Sequence, residues 1–159
     1  MILYFMRHGE AAPPLVAVDN EEDMLTEEGT EALRVATPLW RRLSLRPDAV
    51  ISSPLARARQ TAELVVLALE LPRPPVIDER LRPGAAWADL AQAMAKHADA
   101  RRVMFVGHEP DLSSAIRLLT GASAVRLRKG GIGCVEFPGV PEPGTGELAW
   151  LLDPDLYTA

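Results

Sequence analysis

At 159 residues, with 48% hydrophobic and 25% charged side chains, the chain has the length of one domain, spanning 1–159, and the balance of an ordinary globular protein. A formal net charge of −5 excludes a general affinity for nucleic acid or anionic membranes, so any anion must be held by a local cluster of cations. The single cysteine, Cys134, excludes an intrachain disulfide and a cysteine-built metal centre, and a reducing cytoplasm is the natural expectation.

Ile2 to Met6 is an apolar run long enough for one buried strand, and it breaks at once into Arg7, His8 and Gly9. It is too short, and wrongly flanked, for a signal peptide or a membrane span. Ala11 to Asp23, with Pro13, Pro14 and acidic residues, reads as a loop over the carboxyl end of that strand, one wall of a site. Thr26 predicts a helix N-cap, with Glu27 and Glu28 opposing the positive helix end. Leu33, Val35, Leu39, Trp40 and Leu43 continue a helical apolar spacing, and Pro38 inside it predicts a kink or two short helices.

Ala49 to Ile51, closed by Ser52-Ser53-Pro54, predicts a second strand entering a helix with Pro54 in its first turn. That helix repeats apolar residues from Leu55 to Leu69 and leaves Arg57, Arg59 and Glu63 elsewhere on the wheel. Val76-Ile77 predicts a brief third strand, Asp78 to Gly84 a polar loop, and Trp87 to about Ala98 an amphipathic helix. Arg102 to Gly107 is the clearest buried strand; His108, Glu109 and Pro110 lead from it into a helix that Gly121 stops. The tail predicts two or three strands at Val125–Leu127, Ile132–Phe137 and Leu148–Leu152, with Lys129 to Gly133 as a hairpin turn. Trp40, Cys134 and Trp150 read as packing residues, and Trp87 either as another or as a border of the site. Repeated strand–helix units give an α/β architecture with a mainly parallel central sheet flanked by helices.

Three strand-to-helix junctions carry unusual polar residues: Arg7-His8-Gly9, Ser53-Pro54 leading to Arg57, and Gly107-His108-Glu109. In a parallel sheet such junctions share one edge, which brings two histidines and two arginines together. Two guanidinium forks match the oxygens of a phosphoryl group, and helix N-termini add to their field. One imidazole can then attack phosphorus while the other donates to an equatorial oxygen. A histidine beside arginines has its pKa lowered, and is neutral and nucleophilic at neutral pH. Arg57 and Arg59, two residues apart on a helix, point in different directions, and Arg59 reads as a surface or salt-bridge residue.

On these residues the sequence resembles the histidine phosphatase superfamily related to phosphoglycerate mutase. Arg7-His8-Gly9 looks like its signature, Leu25-Thr26 with Gly29 its next element, Ser53 to Ala62 its second arginine segment and Gly107-His108 its second histidine. The resemblance implies a phosphoglycerate mutase-like three-layer sandwich. It implies His8 as the nucleophile that becomes phosphohistidine, with Arg7, Arg57 and His108 holding the phosphoryl oxygens. It also implies chemistry without a metal or an organic cofactor.

Where many members place a glutamate general acid, after a segment like Arg80-Leu81-Arg82, this chain has Pro83, with Glu79 nearby as the alternative acid. An acid matters most for an alkoxide leaving group and less for imidazole. The Gly107 to Leu112 stretch is similar to SixA-type phosphohistidine phosphatases. That implies a phosphohistidine-bearing protein as partner, such as a histidine phosphotransfer domain in signal transduction. Two alternatives stay open: a phosphatase or mutase acting on small phosphate esters with Glu79 as acid, and a non-catalytic module that binds a phosphoprotein.

Overall fold

Strand β1 (Ile2–Arg7) lies in the interior of a six-stranded sheet, with a parallel neighbour, β4 (Arg102–Gly107), on one side and an antiparallel one, β5 (Ile132–Glu136), on the other. Beyond β4 come β2 (Ala49–Ser52) and the edge strand β3 (Val76–Ile77), both parallel; beyond β5 comes β6 (Glu147–Leu152), antiparallel. The order is β3-β2-β4-β1-β5-β6. This computed structural model describes residues 1–12 and 20–156. Of the loop expected over the first strand, Pro13 to Asp19 lie outside the described residues.

Alternate side chains of the strands point to opposite faces, and each face is covered by two helices. Leu3, Phe5, Val103 and Phe105 pack against α3 (Trp87–Ala95) and α4 (Asp111–Thr120) through Leu90, Leu112 and Ile116. Tyr4, Met6, Met104 and Val106 pack against α1 (Glu27–Arg42) and α2 (Ala56–Ala68) through Leu33, Trp40, Ala58 and Val65. The result is the expected three-layer sandwich. Burial on both faces is why these strands are continuously apolar rather than alternating.

Several elements differ from expectation. Helix α1 runs unbroken through Pro38, because Pro38 and Arg34, whose carbonyl loses its amide partner, are both exposed and water can satisfy that carbonyl. Val35 and Leu43 accordingly face solvent rather than the core. Pro54 precedes α2 instead of sitting in its first turn; Leu55 is the cap. Within the expected polar loop, Asp78 is buried and caps a single 3-10 turn (Glu79–Leu81), tied to Arg80 and Lys96. Trp87 packs beside Met1 and Met94, at the amino end of β1, and does not border the site. Cys134 is buried, and burial pushes its thiol up to about 12, as suits a packing residue.

Of the two or three strands expected in the tail, two form among the described residues, β5 and β6. Val125 to Leu127 is not a strand, so Lys129 to Gly133 is not a hairpin turn. Leu127 is buried, but its carbonyl accepts from the Arg7 side chain (3.1 Å) instead of from a ladder. Residues 125–131 form a strap across the end of β1: the Gly130 amide donates to the carbonyls of both Arg7 (3.1 Å) and His8 (3.0 Å).

Candidate active site

Where β1 stops pairing, the chain turns over the carboxyl edge of the sheet and presents His8. Its amide still donates to Gly107 at the end of β4 (3.1 Å), and the Gly9 amide donates to the Thr61 hydroxyl on α2 (3.1 Å). Thr61 in turn donates to the Arg57 carbonyl (2.7 Å), so one buried hydroxyl ties the β1 turn to the helix that carries Arg57. Arg57, expected away from the apolar stripe, is buried with its side chain in the site. Arg59 is half-buried and caps back onto Pro54.

His8 is 8% exposed, with Nδ1 2.7 Å from the Gly9 carbonyl and Nε2 3.3 Å from Nε of Arg57. A carbonyl can only accept and a guanidinium can only donate. The imidazole therefore carries its proton on Nδ1 and a lone pair on Nε2. Burial, then the charges of Arg57, Arg7 and Lys129, lower its pKa from 6.5 to about 4, against an opposing pull from the Gly9 carbonyl. Burial leads here, where the sequence pointed to the arginines.

The His108 ring lies 5.4 Å from the His8 ring, centroid to centroid, and its Nε2 is 2.7 Å from the Ser53 hydroxyl, itself buried at the start of the α2 junction. Arg7 reaches the Leu127 carbonyl through one terminal nitrogen, while its buried Nε has no acceptor among the described residues. Leaving a buried donor without an acceptor costs about 1–3 kcal/mol.

Arg7, His8, Arg57 and His108 line one cleft of about 460 Å³ together with Glu10, Asp23, Pro83, Glu109 and Lys129. All four residues singled out in the sequence are thus brought together. Pro83 does reach the cleft. Glu79 does not line it: its exposed carboxylate pairs with Arg82, which also pairs with Glu21. The carboxylates that do line it, Glu10, Asp23 and Glu109, and the cation Lys129, were not singled out as site residues. Glu10 and Glu109 stand next to the histidine motifs, and that adjacency is the signal that could have found them. Lys129 was hidden by the expected hairpin. Among the described residues no group of three or more His, Cys, Asp or Glu is placed to hold a metal ion, and no helix is long and apolar enough to cross a membrane.

Comparison with known proteins places this geometry in a class. The family model of the histidine phosphatase superfamily (branch 1) matches residues 3–84. An uncharacterized protein of Picosynechococcus sp. is 35% identical over 137 residues, covering 83% of this chain and 82% of its own. The structure of the protein histidine phosphatase SixA complexed with tungstate superposes with a TM-score of 0.84 at 26% identity, covering 98% of this chain and 99% of that one. The alpha-ribazole phosphatase of Shigella flexneri shares the fold, with a TM-score of 0.72 at 20% identity over 97% of each chain.

The chain belongs to the histidine phosphatase superfamily, branch 1, and is a phosphatase of that class. Within the superfamily it is SixA-like.

Proposed function

We propose that this protein removes the phosphoryl group from phosphohistidine displayed on another protein, using His8 as nucleophile. The observation that carries this reading is the His8 imidazole, neutral, with its Nε2 lone pair in the cleft between Arg57 and His108, where the 79–83 segment offers Pro83 instead of an acid. Nε2 of His8 attacks phosphorus, the substrate's N–P bond breaks, and the electron pair leaves on the substrate imidazole, which departs neutral when its ring is already protonated. Arg7, Arg57 and His108 donate to the phosphoryl oxygens, and the orphaned Nε of Arg7 gains an acceptor. Water then attacks phosphorus, the His8 N–P bond breaks, and phosphate leaves with the water's oxygen.

SixA supports this reading, being a protein histidine phosphatase of which 99% is covered in the superposition. The nucleophile and the charge stabilisation both come from side chains, so the reaction is metal-independent. By its length we read 1–159 as one domain; with a single cysteine and a net charge of −5 it suits a reducing cytoplasm and partners other than nucleic acid or membranes.

A second reading rests on the cleft carboxylates: with Glu10, Asp23 or Glu109 as general acid, small phosphate esters become substrates. The test is to compare rates on a phosphohistidine-bearing protein and on a panel of small esters at neutral pH in EDTA, with His8→Ala as the blank. Phosphohistidine is expected to be preferred by about 10²-fold or more, the contribution of the acid that esters require. His8→Ala is expected to lose at least about 10³-fold, together with acid-labile phosphate incorporation, which separates an enzyme from a binding module. Esters turning over equally well, with loss in Glu10→Gln, Asp23→Asn or Glu109→Gln, would establish the second reading. Glu79→Gln is expected to leave the rates within about twofold, because surface ion pairs are worth little, and EDTA is expected to change nothing.

A further inference from the structure

The strap over the end of β1 carries three cations in four residues, and they are not equivalent. Arg128 is committed to Asp153 (2.9 Å) and Asp155 (3.6 Å). Arg126 and Lys129 are exposed, and the side chain of neither forms an ion pair or hydrogen bond among the described residues. Lys129 lines the catalytic cleft and also a second hollow of about 310 Å³ beside it, which Arg126 and Arg7 line too. The strap is anchored rather than loose: Leu127 is buried, and Gly130 is bonded to the carbonyls of Arg7 and His8. Two uncompensated cations are therefore held beside the cleft, on a chain whose net charge is −5. They stand outside the set needed for the phosphoryl group, which Arg7, Arg57 and His108 already supply.

Resting on the phosphohistidine reading above, we infer that Arg126 and Lys129 form a docking rim for carboxylate side chains that flank the phosphohistidine on the substrate protein. Glu10, Asp23 and Glu109 also line the cleft, but none of them pairs with Arg126 or Lys129 among the described residues, so both cations stay open to a partner's carboxylates. A local pair of cations on an acidic chain suits a few carboxylates near one phosphohistidine, not an extended polyanion. Cations at a rim act chiefly on association and are screened by salt.

The test uses two phosphohistidine peptides of one sequence, the modified histidine flanked by glutamates in one and by glutamines in the other. Phosphoramidate serves as the small substrate that carries no carboxylate for the rim to hold. For wild type, Arg126→Gln and Arg126→Gln/Lys129→Gln, kcat/KM on each peptide is divided by the same protein's value on phosphoramidate, at low and at high salt. Wild type is expected to prefer the glutamate peptide about tenfold at low salt, with the preference shrinking as salt rises. Arg126→Gln should cut the preference and the double variant should abolish it. No preference in wild type, or one that survives the double variant, overturns the docking rim while leaving the phosphohistidine reading intact. A wild type that turns over phosphoramidate but neither peptide overturns that reading and the rim together.

Discussion

His8 is kept neutral by its burial before any neighbour is counted, and the cations around it deepen the effect. With a pKa of about 4 instead of 6.5, the imidazole is expected to stay unprotonated through pH 5, which an NMR titration of the ring would show; an inflection near 6.5 would contradict it. Arg57→Gln removes a cation and should move the midpoint upward. Stability follows the same shift. As pH falls from 6.5 towards 4 the unfolded chain takes up a proton that the folded chain refuses, so folded stability drops across that window and levels off below it. The loss is on the order of 3 kcal/mol, and His8→Gln should flatten that segment of a urea-unfolding profile against pH. That Arg7, His8, Arg57 and His108 would meet was legible because the strand-to-helix junctions of a parallel sheet share one edge. Ser53 and Thr61 were not assigned roles, because a hydroxyl's part depends on which groups the fold sets against it: Ser53 meets His108, and Thr61 meets Gly9 and Arg57. Thr61→Val keeps the shape and loses both bonds, an expected cost of about 1–3 kcal/mol in unfolding experiments together with reduced kcat.

At the level of elements, the start of α1 shows how a motif glycine acts. Thr26 caps Gly29 (2.9 Å) as its sequence predicts, and the helix comes so close to the turn after β1 that a Cβ on Gly29 would lie 2.2 Å from the Glu10 carbonyl oxygen. Gly29→Ala should therefore push α1 away from the cleft wall, costing about 2 kcal/mol or more in urea unfolding and lowering activity with it. An unchanged midpoint would show that the turn can yield. The strap was the element least legible in the sequence. Val125-Arg126-Leu127 alternates as a strand does, and a Gly-Gly pair after it reads as a turn. What decides against a strand is distant: the Arg7 guanidinium takes the Leu127 carbonyl, an acceptor that local periodicity cannot assign.

Across the whole molecule, the layers were legible because a strand segment buried on both faces has to be apolar, as Leu3 to Met6 of β1 and Val103 to Val106 of β4 are. Their neighbours were less so, since pairing partners are chosen by topology and not by local pattern. Both neighbours of β1 lie far along the chain: Ile2 stands opposite Arg102 on one side and Glu136 on the other, so each contact closes a loop of about a hundred residues or more. The sheet's first strand in chain order is thus among the last to find its partners. Until β4 and β5 exist it has two open edges, and His8 has neither the Gly107 nor the Gly130 backbone to rest on. Assembly of the cleft is consequently a late event in folding, gained only when the strap arrives.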